Sequence, residues 1–357
     1  EVDPLSPLPA ALRPSGEAEP QTIFDRIVAL YGPAIVKVPW LWGFGFRLVD
    51  NEPGLRFYLS FLSTRFMERI AEVVASTGAD ALVSVHPLVN HLMVAVRRRL
   101  GRPLALMTVL TDLVDVHHWW AAREVEQYVA SSDVAADRLV QLGIPPTHIA
   151  TLGIPIRPHY AQLAVSGREM RERLELDPDL PLLLLMGGGD GAGRLAETAR
   201  AVARLAEQGK RFQLVVITAR NVRARQDLEA FAWPMPTRVL GFVTNIGEYM
   251  TAADVIATKP GSLTVSEGLA LARPLLLGKP LPGQEEGNVG YVVGSGAGLA
   301  YTNPEEAAQA FGYLLDDPSA RWEMSQQAAR LGNPRAAERV IDLLQGLLMR
   351  TEVERGT

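Results

Sequence analysis

The chain has 357 residues and a mass of 38.9 kDa, which is too long for one ordinary hydrophobic core and suits two domains. Its 48% hydrophobic and 21% charged residues exclude the disordered and fibrous classes, and a formal net charge of −5 argues against a broad nucleic-acid-binding surface. Because cysteine is absent, disulfide scaffolds, thiol nucleophiles and cysteine metal sites are excluded as well.

Neither a transmembrane helix nor a secretory signal is predicted. No stretch approaches the roughly 18–20 uninterrupted apolar residues that a spanning helix needs. We therefore expect a soluble protein or one that lies on a membrane surface.

The first half of the chain predicts a parallel sheet. Residues 1–20 are rich in proline and read as an extended lead-in, and residues 21–75 are predicted to be mostly helical. From residue 79 onward, short apolar runs alternate with amphipathic segments. The predicted elements are a strand in ADALVSVHP, a helix over 88–100, strands in PLALMTVLTD and QYVASS, a helix over 133–142 and a strand over 149–152. This alternation is typical of parallel strands joined by helical crossovers.

A proline-containing stretch, GIPIRPHYAQL, interrupts this rhythm and is the predicted hinge between domains. After it the alternation restarts with strands in PLLLLM, FQLVVIT, TRVLGF, DVIATKP and RPLLLGKP, and helices then dominate to the C-terminus. We predict two doubly wound α/β domains that face each other across a cleft, with ligands at the carboxyl ends of the strands. The predicted bounds are 1–157 and 158–332, with a C-terminal helix over 333–357 that packs back on the first domain.

A glycine-rich loop, GGGDGAG at 187–193, follows a buried strand and opens a helix. Glycines let a phosphate approach the backbone, and the helix N-terminus offers free N–H groups to it. The loop also fits a dinucleotide-binding pattern, but that site needs an acid near the end of the next strand, where Arg220 stands instead. A purely structural glycine turn remains an alternative.

A second junction of this kind is TKPGSLT at 258–264. Ser262 is a candidate N-cap, and the N–H groups after it could hold a diphosphate. Glu267 lies about one turn further, where a carboxylate could accept hydrogen bonds from a ribose diol. The alternative is a well-capped helix with an acid in its first turns.

A third loop, PGQEEGN at 282–288, follows the next strand and combines amide and carboxylate groups. Sugar hydroxyls need both donors and acceptors, so these residue types suit a sugar, although such a loop can also be merely solvated. The three loops follow strands of one predicted sheet. Together they could bind a nucleotide and the sugar attached to it.

Taken together, TKPGSLTVSE, PGQEEGN, the glycine-rich loop and the intervening GFVTNIGEYMTAADV resemble one family of inverting GT-B glycosyltransferases. That family includes monogalactosyldiacylglycerol synthases and bacterial diacylglycerol glucosyltransferases. The enzyme that adds GlcNAc to the lipid-linked peptidoglycan precursor is a more distant relative. The resemblance extends over residues 79–317 and implies a GT-B fold.

The resemblance also implies a donor-binding site. Its residues are Gly188 and Gly189 at the diphosphate, Phe242 at the uracil, Gly261, Ser262, Leu263 and Thr264 at the phosphates, Glu267 at the ribose, and Gln284, Glu285 and Asn288 at the sugar.

Family members have an HPL segment and a TD-L segment followed by His and Trp, which this chain matches at SVHPL and TDLVDVHHWW. The resemblance places His86, Asp112, His117 and Trp120 beside the acceptor, the first three as candidate catalytic groups. From the residues alone, His86 could be a structural histidine, Asp112 a turn cap and Trp120 a packing residue.

The beginning of the chain departs from the family. These enzymes open with a strand and a GGGH loop whose histidine lies near the reaction centre, and nothing in residues 1–78 matches it. Because residue 1 is Glu, we expect that the family's N-terminal strand, loop and helix are absent from this chain, which leaves the identity of the catalytic base open.

An aromatic segment, IVKVPWLWGFGFRLV, carries Trp40, Trp42 and Phe44 beside basic residues, and the helix over 88–100 ends in Arg97, Arg98 and Arg99. Aromatic groups edged by cations suit a lipid headgroup interface and attract anionic lipids. Aromatic core and a solvated helix end are the alternatives.

We therefore expect an inverting transferase that moves galactose or glucose from UDP-galactose or UDP-glucose to diacylglycerol, on the cytoplasmic side of a membrane that contains anionic lipids. It would need no cofactor and no metal, and it would bind no nucleic acid. The alternatives are a transferase for a polyprenyl-diphosphate-linked cell-wall precursor and a non-catalytic protein that binds nucleotide sugars or lipids.

Overall fold

The computed structural model describes residues 48–60, 64–163, 165–187, 194–283 and 285–356. Its first sheet has four parallel strands in the order β1-β2-β3-β4. The strands are β1 (Ala81–Ser84), β2 (Ala105–Val109), β3 (Gln127–Ala130) and β4 (Ile149–Thr151). The helices of this half are α1 (Glu52–Ser60), α2 (Thr64–Thr77), α3 (Pro87–Leu100) and α4 (Asp133–Gln141).

Local sequence explains where the helices of this half begin and end. The helix α3 starts with Pro87 after His86, whose side chain accepts from the Leu88 N–H, and it stops at Gly101, which has a φ of 61°. The helix α4 is capped by Ser132, whose hydroxyl accepts from the Ala135 N–H. The third strand ends at Ala130, two residues before Ser132 caps the next helix.

The second sheet has six parallel strands in the order β10-β9-β8-β5-β6-β7. The strands are β5 (Leu182–Met186), β6 (Gln213–Ile217), β7 (Thr237–Leu240), β8 (Val255–Thr258), β9 (Leu275–Leu277) and β10 (Gly298–Ala300). The helices are α5 (Gly167–Arg173), α6 (Leu195–Glu207), α7 (Val222–Glu229), α8 (Ile246–Ala252), α9 (Ser262–Ala270), α10 (Glu286–Gly294), α11 (Pro304–Asp316), α12 (Pro318–Leu331) and α13 (Ala336–Gly356). The strand β10 was not predicted, because this three-residue edge strand is too short to show a pattern of its own.

The strand order of the second sheet reverses between β5 and β8. From β5 the chain adds β6 and β7 on one side, and it then crosses back to add β8, β9 and β10 on the other. In sheets of this kind, ligands bind outside the carboxyl ends of the strands at the point of reversal. The loops after β5 and β8, which carry two of the three predicted phosphate and sugar motifs, flank this point.

The final helix, α13, packs on the first sheet. Leucines of this helix form one apolar cluster with residues of β2 and β3, and the cluster comprises Ala105, Met107, Val109, Val129, Leu152, Val340 and Leu347. The architecture confirms the prediction of two parallel α/β domains. No helix in the described ranges is long and apolar enough to cross a bilayer.

Candidate functional site

The helix α9 begins with an unusual N-cap. Gly261 holds the cap position, so the prediction that Ser262 is the N-cap is wrong: Ser262 is the first helical residue. A glycine has no side chain to accept from the first turn, and the first intrahelical bond runs from the Val265 N–H to the Gly261 carbonyl. Among the described residues, the N–H groups of Ser262, Leu263 and Thr264 therefore remain open to a ligand.

The hydroxyl of Ser262 lies between the domains instead of capping its helix. It accepts from the Leu113 N–H at 3.3 Å and from the Asn288 amide at 3.2 Å. The contact with Leu113 brings the loop after β2 against the N-terminal end of α9, the predicted phosphate site. Asp112, a predicted catalytic residue, is the neighbour of Leu113 in this loop.

Asn288, which is predicted to lie at the donor sugar, is fully buried. Its amide donates to the Pro260 carbonyl at 2.9 Å as well as to Ser262. The side chain therefore positions the loop that precedes α9.

Lys259 was missed as a site residue by the sequence analysis. Its Nζ lies 2.9 Å from Oε1 of Glu285, whose Oε2 accepts from the Leu281 N–H at 3.0 Å. Glu285 is buried, so this ion pair supplies the charge that a buried carboxylate requires. The pair links the loop after β8 to the predicted sugar-binding loop after β9, and a lysine beside a predicted phosphate site was the signal available in the sequence.

Glu267 is half-buried on α9 and faces the hinge between the domains. Desolvation raises the pKa of its carboxyl group, whereas a hydrogen bond from Tyr160 and the positive charge of Arg157 act in the opposite direction. Tyr160 and Arg157 belong to the predicted hinge segment, and neither was predicted as a site residue. A ribose at Glu267 would therefore lie beside the hinge.

Phe242 follows β7 and is 68% exposed, which is unusual for a phenylalanine. The guanidinium of Arg220, after β6, lies 6.0 Å from the centre of its ring. An exposed ring beside a cation can stack on a nucleobase. Gly188, Gly189 and Gln284 lie outside the described residues.

Asp112 lies half-buried at the carboxyl end of β2. Desolvation raises the pKa of its carboxyl group, as does the nearby negative charge of Asp115, whereas the indole N–H of Trp120 donates to its Oδ2 at 2.7 Å and lowers the pKa. Trp120 itself is 0% exposed. This corrects the expectation that Trp120 touches the acceptor or the membrane: the side chain has no free surface and instead orients Asp112.

The two candidate histidines differ in accessibility. His117 is 3% exposed, its Nδ1 accepts from the Trp119 N–H at 3.2 Å, and its ring packs edge-on against Trp119. This burial corrects the expectation that His117 is an accessible base. His86 is exposed at the start of α3, and partial desolvation lowers its pKa.

The predicted membrane cations Arg97 and Arg98 are paired with groups of their own domain. Arg97 bonds with Glu126 and with the carbonyls of Leu104 and Glu124, and Arg98 pairs with Glu124 at 2.7 Å. Both lie in the last turn of α3. This end of the helix is next to the amino ends of the strands, whereas the candidate site is at their carboxyl ends. Trp40, Trp42 and Phe44 lie outside the described residues.

Within the described ranges, no group of three acidic or histidine side chains could share a metal ion. The arrangement offers instead an uncapped helix end for a diphosphate, acids for ribose and sugar hydroxyls, and a carboxylate of raised pKa on the opposing domain.

Two family models match the chain. The model for monogalactosyldiacylglycerol (MGDG) synthase matches residues 20–156, and the model for the glycosyltransferase family 28 C-terminal domain matches residues 182–340. The two matches fall on the two halves that carry the acceptor-side and donor-side residues.

Among solved structures, MurG of Acinetobacter baumannii shares the fold with a TM-score of 0.57 at 20% identity, over 79% of this chain and 78% of that chain. The UDP-GlcNAc 2-epimerase of Neisseria meningitidis bound to UDP-GlcNAc gives 0.60 at 13% identity, over 81% and 82%. At these identities the likeness shows the fold alone, and it confirms the predicted GT-B architecture.

The sequence relatives are closer. Monogalactosyldiacylglycerol synthase 3, chloroplastic, of Arabidopsis thaliana is 33% identical over 321 residues, which cover 88% of this chain and 68% of the relative. A rice relative (Oryza sativa subsp. japonica), named probable monogalactosyldiacylglycerol synthase 3, chloroplastic, is 34% identical over 320 residues, 88% of this chain and 62% of the relative. The chain thus spans 62% to 68% of these relatives' length. With identity of this level across both domains, the chain belongs to the monogalactosyldiacylglycerol synthase family of glycosyltransferases.

Proposed function

We propose that this chain transfers galactose from UDP-galactose to the free hydroxyl of diacylglycerol, with inversion at the anomeric carbon. The observation that carries the proposal is the contact between the Leu113 N–H and Ser262, which brings the Asp112 loop against the uncapped end of α9. A base on one domain thereby faces a diphosphate site on the other. Family membership supplies the substrate classes, because the relatives are named for galactosyl transfer to diacylglycerol.

The reaction we propose is a single displacement. Asp112 takes the proton of the acceptor hydroxyl, the acceptor oxygen forms a bond to the anomeric carbon, and the bond from that carbon to the diphosphate oxygen breaks. UDP leaves with the bonding electrons. A partly buried carboxyl group of raised pKa is proposed as the general base, a role that contributes about 10²- to 10⁴-fold to the rate.

The departing diphosphate carries the charge that develops in this step. The N–H groups of Ser262, Leu263 and Thr264 and the positive end of the α9 dipole would stabilise it. Lys259 stands beside this helix end and could move its charge from Glu285 toward the diphosphate. We therefore propose that no metal ion is needed for the leaving group.

Galactose is proposed over glucose on the names of the relatives. Glu285 and Gln284 are proposed to read the sugar hydroxyls. We further propose that the protein works as a peripheral protein on the cytoplasmic side of a membrane.

Transfer can be tested by incubating the protein with diacylglycerol vesicles and radiolabelled UDP-galactose or UDP-glucose, with and without EDTA. We expect labelled galactolipid, a preference for UDP-galactose, the β-anomer by NMR and no loss of rate in EDTA. Polyprenyl-diphosphate-linked sugar added as a competing acceptor should remain unlabelled. Tight UDP binding with no transfer to any acceptor would contradict the proposal and favour a non-catalytic binding protein.

Glu267→Gln tests the ribose contact. A carboxylate that binds a ribose diol should favour UDP over 2′-deoxy-UDP, and the amide should lose most of that preference. We expect UDP binding to weaken by about tenfold or more, measured by calorimetry, while 2′-deoxy-UDP binding changes little. Equal losses for both nucleotides would show that Glu267 does not read the diol.

A further inference from the structure

The helix α10, which follows the predicted sugar-binding loop, is not capped by its own sequence. Glu285 holds the N-cap position but makes no capping hydrogen bond. Its carboxylate is turned back to Lys259 and to the Leu281 N–H. The first turn of α10 must therefore find an acceptor elsewhere.

That acceptor comes from the other domain. Oδ2 of Asp115, in the loop after β2, accepts from the Gly287 N–H of α10 at 2.8 Å. A carboxylate at this place satisfies a free N–H and also interacts favourably with the positive end of the helix dipole. Gly287 fits the contact closely, since a Cβ there would lie 2.7 Å from Oδ1 of Asp115.

The contact adjoins an interdomain cleft of about 480 Å³, whose lining includes Asp115, Asp137, Gly283 and Glu286. Gly283 precedes Gln284 and Glu285, so the cleft borders the predicted sugar-binding loop. Asp115 also lies only three residues after Asp112, the proposed base. One short loop thus carries both the base and the cap of the helix that follows the sugar-binding loop.

We propose that Asp115 is a positioning residue that caps α10 across the domain interface and so fixes the closed arrangement in which Asp112 faces the donor sugar. The inference rests on the proposed function for its catalytic consequence. When the domains separate, the Gly287 N–H loses its acceptor and Asp115 loses its donor. When they close, the cap forms. The distance between Asp112 and the sugar-binding loop is then fixed.

The variants that test this are Asp115→Ala, which removes the cap, and Asp115→Asn, which keeps an acceptor oxygen without the charge. Asp137→Ala is the matched control, because it removes a carboxylate from the same cleft. The side chain of Asp137 forms no hydrogen bond or ion pair with the residues described. We expect Asp115→Ala to lower kcat by about 5- to 30-fold. The kcat of Asp115→Asn should lie between that of Asp115→Ala and that of the unsubstituted protein. Asp137→Ala should change kcat little. The affinity for UDP should change by less than about twofold in all three, because Asp115 lies outside the donor-binding domain.

Closure can be measured without turnover. The chain has no cysteine, so Thr147→Cys and Glu207→Cys place one spin label on each domain, at exposed positions. Distance distributions by electron spin resonance with saturating UDP should be narrow in the parent and in Asp137→Ala, and broader and longer in Asp115→Ala.

The two readouts separate the two proposals. If the parent protein transfers no sugar, the proposed function fails, and the distance distributions alone decide the role of Asp115. Distributions in Asp115→Ala that match those of Asp137→Ala would overturn the inference. So would a loss of UDP affinity as large as the loss of kcat, since Asp115 would then belong to the donor site.

Discussion

Asp112 illustrates how one residue is tuned by its neighbours. Burial and Asp115 raise its pKa, and the indole N–H of Trp120 lowers it. Trp120 can do this because it is fully buried and cannot exchange its bond to Asp112 for one to water. The carboxyl group is thus held in a fixed orientation, with a pKa that burial raises and the bond from Trp120 lowers.

Trp120→Phe removes this hydrogen bond and keeps an aromatic ring in the core. Because the indole N–H stabilises the charged carboxylate, its loss raises the pKa of Asp112 further. The acid limb of the pH profile of kcat/KM should move to higher pH by about one unit.

Trp119→Phe is the control for this variant, since the indole nitrogen of Trp119 is buried with no hydrogen-bond partner in the described part of the chain. It should leave the acid limb in place. An identical shift in both variants would mean that general packing, and not the bond to Asp112, sets the profile.

At the scale of a single element, α9 begins without a side-chain cap. Its N-cap is a glycine with a φ of −67°, a conformation that any residue can adopt, so backbone strain does not demand glycine here. What glycine provides is an absent side chain, which leaves the first N–H groups without an internal acceptor.

Two substitutions of Gly261 should therefore rank one way in stability and the opposite way in affinity for UDP. Gly261→Ser supplies a hydroxyl that caps α9 and competes with the diphosphate, whereas Gly261→Ala supplies neither. We expect the serine variant to be more stable than the alanine variant by about 0.5–2 kcal/mol and yet to bind UDP more weakly. Urea unfolding measures the stability, and calorimetry measures the affinity for UDP. A serine variant that is both more stable and tighter-binding than the alanine variant would contradict this account of the helix end.

At the scale of the whole molecule, the first sheet is completed by the end of the chain. The residues of β2 alternate between two clusters: Leu106 packs with Trp120 and the helices of the first domain, whereas Ala105, Met107 and Val109 pack against α13. Without α13, one face of this strand would lose its cover. The C-terminal helix is thus part of the core of the first sheet.

Leu347→Ala tests this packing. Leu347 is 4% exposed on α13, so its truncation should lower the free energy of unfolding by about 2–5 kcal/mol. Met349→Ala on the same helix, where Met349 is 67% exposed, should cost less than about 0.5 kcal/mol. Urea unfolding compares them, and equal small effects would show that α13 contributes little to the stability of the first sheet.

Much of the fold followed from local sequence. Apolar runs such as LLLLM and QLVVI, and the glycine-rich junctions after them, predicted parallel strands with a ligand at their carboxyl ends. These signals are local, because the period of a strand, the cap of a helix and a glycine turn each depend on residues a few positions apart. The motifs at 258–264 and 282–288 likewise predicted the glycosyltransferase family that the comparisons confirmed.

Only the tertiary structure decided which distant residues meet. The sequence predicted that a C-terminal helix packs back on the first domain but not that this helix covers one face of β2, and the family resemblance placed Trp120 beside the acceptor although the chain path buries it. Asp115 and Gly287 are 172 positions apart, and neither carries a local pattern that names the other. Their contact depends on how the two domains come together, which local propensity cannot specify. For that reason the sequence predicted candidate donor-binding loops, and only the tertiary structure decided which residues meet between the domains.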